Sequence, residues 1–207
     1  MTKIVAIDGP AGSGKSSVAK ALAKALGFLH VDTGAIYRSV AYEALQQDVS
    51  LDDEQALAKI ALGLQEINPS PEIRSEQVSQ AASKVSQYPA VRTNLLELQR
   101  RFGRASKTGA VLEGRDIGTV VFPDAEYKFF VTASAEERAK RRFLELESKS
   151  IKTTYEDVLK EQDERDKRDE TRSVSPLIPA QDAVLVDTTG MSLDEVVRKI
   201  KQMVIGS

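Results

Sequence analysis

Gly9-Pro10-Ala11-Gly12-Ser13-Gly14-Lys15-Ser16 fits the spacing G-x-x-x-x-G-K-[ST]. It directly follows the apolar run Ile4-Val5-Ala6-Ile7 and precedes a segment with Val18, Leu22, Ala25 and Leu26 on one helical face. The stretch predicts a strand, a tight loop and a helix. Glycines let such a loop turn successive backbone N–H groups inward, and the positive end of the helix completes a cradle for phosphate oxygens. Lys15 is placed to reach the β and γ phosphates of ATP, Ser16 to offer its hydroxyl to Mg2+, and Ser17 to close the loop's ATP-binding set. A glycine-rich turn without a ligand satisfies the same pattern, but the strand before it and the helix after it favour the phosphate loop.

Composition bounds the rest. At 207 residues there is room for one well-cored domain and a small subdomain. The chain has 29 Lys+Arg against 31 Asp+Glu, a formal net charge of -2, so neither a nucleic acid nor a membrane is expected as a partner and any basic site must be local. The absence of cysteine removes disulfides, thiolate zinc sites and cysteine nucleophiles. Asp8 interrupts the first apolar run, and no window approaches 18 apolar residues, so the expectation is a soluble, cytoplasmic protein.

Four further strands are expected, at Phe28-Leu29-His30-Val31, Ala110-Val111-Leu112, Tyr127 to Val131, and Ala183-Val184-Leu185-Val186-Asp187. Helical patterns lie between them. One runs from Ala35 to about Gln47, with Ile36, Val40 and Ala44 inward and Tyr37 and Arg38 on its exposed side. Others cover Leu51 to Leu64, Ser75 to Ser86, Val91 to Lys107 and Tyr155 to Glu170. Capping boxes at Ser134/Glu137 and Ser192/Glu195 open two more. Asn68-Pro69-Ser70-Pro71 breaks the pattern between residues 49 and 86, whose texture suggests a small mobile subdomain. Short apolar strands separated by helices imply an α/β fold, a five-stranded parallel sheet covered on both faces, with ligands at the carboxyl ends of the strands. That rule gathers the loop after Ile7, Asp32-Thr33-Gly34, Glu113-Gly114-Arg115-Asp116 and Asp187-Thr188-Thr189 into one site.

Arg115 and Asp116 can be read as an ion pair closing a loop. Facing a phosphate loop, they fit better as one residue for an anion and one for a donor on a ligand. Arg165, Asp169 and Arg172 share one helical face, yet the charge alternation there would look the same on a solvated surface, and spacing alone does not decide. Arg138, Arg141 and Arg142 admit a solvated face or a lid that swings cations over a triphosphate. His30, the only histidine, reads as an ordinary strand residue, and Asp8 as a residue that orders the loop rather than one that orients Mg2+ waters. Glu113, ending an apolar strand beside the phosphate loop, has the placement of a carboxylate that assists Mg2+ through water.

Taken together, these segments resemble the bacterial cytidylate kinase family of nucleoside monophosphate kinases over nearly the whole chain. The resemblance rests on residues 7–16, Asp32-Thr33-Gly34-Ala35-Ile36-Tyr37-Arg38, the discriminating block from Glu113 to Pro123, and Arg165 through Asp169 to Arg172 with Pro176-Leu177. It implies a P-loop NTPase core at 1–48 and 89–207 with a short lid at about 138–172, and a small helical subdomain at 49–88 that binds the monophosphate. It implies transfer of the ATP γ-phosphoryl group to CMP or dCMP, assisted by Mg2+, by a monomer. Thr33 then serves the acceptor site. Arg38 and Arg115 grip the monophosphate, Ser83, Arg92 and Asp116 face the cytosine, Arg165 and Asp169 lie near the ribose, and Arg172 is another acceptor-site arginine. Lys15, Arg115, Arg138 and Arg142 carry the catalytic charge. Many members have a longer insertion where this chain has only Glu66 to Glu72, which implies a smaller acceptor subdomain.

Two rivals leave weaker traces. Adenylate kinases usually carry a long lid or zinc-binding insert that this chain lacks. A GTP-dependent switch needs an [NT]-K-x-D stretch, of which Asp166-Lys167-Arg168-Asp169 shares only Lys and Asp.

Overall fold

Ile4–Asp8 is buried along its whole length and forms β1, the centre of a five-stranded parallel sheet in the order β2-β3-β1-β4-β5. The other strands are β2 (Leu29–Asp32) and β5 (Val184–Asp187) at the edges and β3 (Ala110–Gly114) and β4 (Tyr127–Thr132) on either side of β1. The computed structural model describes residues 2–206; residues 1 and 207, the ends of the expected core, lie outside them. Register aligns Asp8 with Gly114 and Phe130, and Asp32 with Glu113, so the carboxyl ends finish level along one edge.

Alternation along the central strands separates two faces. Val5 and Ile7, with Val111, Phe129 and Val131, pack beneath α1 (Lys15–Leu26) and α8 (Leu193–Ile205) through Val18, Leu22, Val196 and Ile200. Ile4, Ala6 and Leu112 face the other way, onto Ile117, Val121 and Phe122 and the flank of α5 (Pro89–Arg104). A third core lies off the sheet, among α2 (Thr33–Gln46), α3 (Glu54–Gly63), α4 (Glu76–Val85) and α5. Residues 49–88 thus share one apolar cluster with Ile36, Val40, Leu95 and Leu98, which binds them to helices on either side in sequence. The short segment before α4 lies over α2, where Asn68 N donates to Ser39 Oγ at 2.9 Å and Asn68 Nδ2 to Glu43 at 2.8 Å.

Two helices close the far side of the mouth, α6 (Ala135–Ser148) and α7 (Tyr155–Thr171), packed through Ala139, Leu146 and Val158. The Ser192–Glu195 capping box forms in full. The Ser134–Glu137 box forms only its first half, because the Glu137 carboxylate takes Arg141 Nε at 2.9 Å instead of reaching back to the cap. Among the described residues no helix is long and apolar enough to cross a membrane.

Candidate active site

The loop between β1 and α1 threads beneath the end of β4, where a Cβ on Gly9 would lie 2.0 Å from the Val131 carbonyl oxygen, so no larger residue fits. Gly12, at φ +73, is pressed from outside by Gln162 and the Arg138 carbonyl; α6 and α7 therefore rest on the loop. Lys15 opens α1 and donates to Pro10 O at 2.9 Å across the loop. Burial, reinforced by nearby Arg115, pulls its pKa down to about 7, so an arriving polyanion would relieve an ammonium held at a disadvantage. Ser16 Oγ donates to Glu113 at the end of β3, and Glu113 also meets His30 Nε2 at 2.9 Å.

Asp8 shows why the loop after β3 stands where it does. Its two oxygens accept from Ile117 N and Gly118 N, both at 2.8 Å, pinning a single wide turn of π-helix at Ile117–Val121 to the central strand. Burial outweighs those bonds and raises the carboxyl to about 6. The contacts of Asp8 thus order the turn after β3, rather than the phosphate loop it was expected to order.

Opposite the loop, side chains from α2, α4, α5, α7 and the turn after β3 converge on a cavity of about 670 Å³. Arg38 stands one turn into α2, braced at 2.7 Å by Asp32, which also caps that helix by accepting from Ala35 N. Thr33 Oγ1 donates to Glu113 O at 2.7 Å. Arg115 Nε donates to Asp169 at 2.8 Å, and Arg172 is anchored by its Nε to Ser175 O at 2.6 Å. Burial alone would raise Asp169, but Arg115 and Arg165 outweigh it and hold the carboxylate low. Burial and then Arg115 lower Arg165 to about 10, and its Nε is buried without a hydrogen-bond partner.

Arg92 pairs with Asp116 and donates to Ser86 O at 3.0 Å, its guanidinium 5.3 Å from the centre of the Tyr37 ring. Tyr37 is therefore buried, contrary to the exposed position its helical pattern suggests, because α5 supplies a cation to cover it. Burial raises its phenol to about 12. Around Asp116, Ser83 Oγ, Arg92 Nε and one terminal nitrogen of Arg172 are buried and unpartnered. Unpartnered buried polar atoms are uncommon in native interiors.

The cavity wall carries ten cationic and seven anionic side chains, within a chain of net charge -2. Arg138 is not among them. It lies in the first turn of α6, where side chains slope back toward the helix start, and its guanidinium is spent on Ala133 O and Ala11 O, both at 3.1 Å, and on Asp166. Its neighbours Arg141 and Arg142 line the cavity where Arg138 was expected. Arg141 reaches Thr188 Oγ1 and O, both at 2.9 Å, tying α6 to the loop after β5. Arg142 enters the cavity but is held by Glu76 of α4 and by Glu145. Glu76 and Tyr37 escaped sequence reasoning, since each touches a partner remote in the chain.

Comparison with known proteins agrees with this geometry. The family model described as Cytidylate kinase matches residues 5–205. A protein of Desulfitobacterium hafniense (strain Y51) named Cytidylate kinase is 47% identical, with 95% of this chain and 90% of that one covered. One of the same name from Caldanaerobacter subterraneus subsp. tengcongensis is 45% identical, with 99% and 95% covered. Among solved structures, an uncharacterized protein from Eubacterium ventriosum superposes with a TM-score of 0.56 over 100% of both chains at 13% identity, a likeness of fold alone.

Proposed function

The chain belongs to the cytidylate kinase family, and from that premise we propose how its site transfers the γ-phosphoryl group of ATP to CMP or dCMP, giving ADP and CDP or dCDP. The observation that carries the proposal is one cavity in which Lys15 faces Arg38, Arg115, Arg165 and Arg172, with orphaned polar atoms clustered around Asp116.

The reaction needs no dedicated base. A phosphomonoester's second pKa is about 6, so the attacking oxygen of the monophosphate is already anionic at neutral pH. The work is to bring two repelling anions into line with water excluded, which fixed cations do without reorganisation. Loop N–H groups and Lys15 hold the donor phosphates, while Arg38 and Arg115, braced by Asp32 and Asp169, clamp the acceptor. Arg142 reaches the transferring group after leaving Glu76. Arg141, pinned to Thr188, keeps the root of the lid against the loop.

Cytosine offers an amine at N4 with acceptors at N3 and O2, complementary to Asp116 with Arg92 and Ser83. Uracil would set a carbonyl against Asp116 and leave buried groups unpaired. The hydroxyl of Ser16 and the carboxylate of Glu113 are hard oxygen donors suited to Mg2+, which binds through one or two protein oxygens together with substrate phosphates and waters. When bound, that ion neutralises charge on the phosphates.

The proposal takes the protein to act as a monomer in the cytoplasm; light scattering at the mass of one chain tests the first point. A coupled ADP-release assay with a panel of nucleoside monophosphates tests the function. CMP and dCMP should turn over well above UMP and AMP, with slow ATP hydrolysis when no acceptor is present. Faster turnover of AMP, or ADP release indifferent to the acceptor, would reject it.

A further inference from the structure

Glu113 is almost completely buried, yet its carboxylate is held at both oxygens. Ser16 Oγ donates to Oε2, and His30 Nε2 lies 2.9 Å from Oε1. The second contact follows from strand register. His30 pairs with Val111 across β2 and β3, and Glu113, two residues further along β3, points to the same face. An imidazole on the edge strand can therefore reach diagonally to the carboxylate at the end of the inner one. His30 is about a quarter exposed and does not line the cavity, so its contact with the site runs through Glu113.

We propose that His30 is a positioning residue for the metal-side carboxylate. By donating from Nε2 to Oε1 it fixes the rotation of the Glu113 carboxyl group and keeps Oε2 aimed at Ser16 and the phosphate loop. The terminal torsion of a glutamate is broad and nearly two-fold, so a carboxylate secured at one oxygen only would share its time between orientations. A donor on the second oxygen removes that freedom before the metal arrives. Partners of this kind, one bond removed from an ion, typically affect metal affinity by about ten- to a hundred-fold. The inference rests on the reading of Ser16 and Glu113 as the oxygens that serve Mg2+ during phosphoryl transfer.

The test compares His30→Leu, which keeps bulk and loses the donor, with His30→Gln, whose side-chain amide can donate from a similar place. For His30→Leu the Mg2+ concentration giving half-maximal rate should rise about ten-fold, with kcat at saturating Mg2+ and KM for CMP close to those of the parent. His30→Gln should recover most of the loss. A second readout needs no turnover: the rise in thermal midpoint produced by Mg2+ in the presence of ADP should shrink in the leucine variant and return in the glutamine variant. If His30→Leu lowers the metal-free midpoint while leaving both Mg2+ responses intact, or if His30→Gln fails to restore them, the positioning role is overturned. Failure of the kinase reading itself would look different, since the parent protein would then release no ADP in response to CMP.

Discussion

The two rims of the cavity are built on opposite plans. The donor rim is nine consecutive residues, Gly9 to Ser17, which on the proposed reading meet the ligand through backbone N–H groups and one ammonium. The acceptor rim is assembled from side chains on α2, α4, α5, α7 and the turn after β3, separated by well over a hundred residues of chain. On the proposed reading the donor rim recognises charge that any triphosphate carries, and the acceptor rim the pattern of one base. The sharpest test of this division is Lys15→Ala. Loss of a charge aimed at the transferring group costs on the order of a thousand-fold in kcat, and the comparison requires the same factor with CMP and UMP. A loss confined to one acceptor in steady-state assays would break it.

Asp8 is the tie between the rims, since it joins the strand that feeds the phosphate loop to the turn that presents Asp116. Its folded-state pKa of about 6 lies above the ordinary 3.8. The stability it contributes is therefore complete below about pH 4 and is lost as pH rises through 6. A rise of that size corresponds to roughly 3 kcal/mol. In urea unfolding between pH 4 and 7, the stability advantage of the parent over Asp8→Asn should shrink by about that amount as pH rises. A difference independent of pH would mean that the carboxyl is not held neutral in the fold at acid pH.

The same contrast explains what could be read from the sequence. The phosphate loop was legible because its ligands are contiguous and their spacing is dictated by backbone geometry. The sheet was legible because Ile4-Val5-Ala6-Ile7 and Ala110-Val111-Leu112 are buried on both faces and read as unbroken apolar runs. The acceptor rim was not legible by spacing, and the face carrying Arg165, Asp169 and Arg172 gained meaning only through the family resemblance. Tyr37 looked exposed because helical periodicity knows nothing of Arg92, more than fifty residues later. Arg138 looked like a lid cation because the pattern cannot tell that Asp166 and the Ala11 carbonyl absorb it.

Asp116→Asn probes the acceptor rim on its own terms. The amide keeps the shape, loses the charge that holds Arg92, and presents a donor where the cytosine amine needs an acceptor. Preference for CMP over UMP in kcat/KM should fall by about ten- to a hundred-fold, the worth of one or two hydrogen bonds in a buried site. The KM for ATP should stay unchanged, since nothing on the donor rim touches Asp116. An equal loss with both acceptors would instead mean that Asp116 supports the pocket's shape and does not read the base.

The smallest expected effect lies where the rims meet across the mouth. Arg142 of the lid is paired with Glu76 of α4 and with Glu145, and burial together with Glu76 raises the nearby Glu161 carboxyl. To reach a triphosphate Arg142 must exchange Glu76 for phosphate oxygens, so the ion pair competes with the donor nucleotide. Both partners are partly exposed, which limits the pair to about 0–1 kcal/mol. Glu76→Gln should therefore lower the KM for ATP by about two- to five-fold while leaving the KM for CMP within error. If the KM for CMP falls and that for ATP does not, Glu76 repels the acceptor's own phosphate and belongs to the acceptor rim, and the lid arginine is free without it.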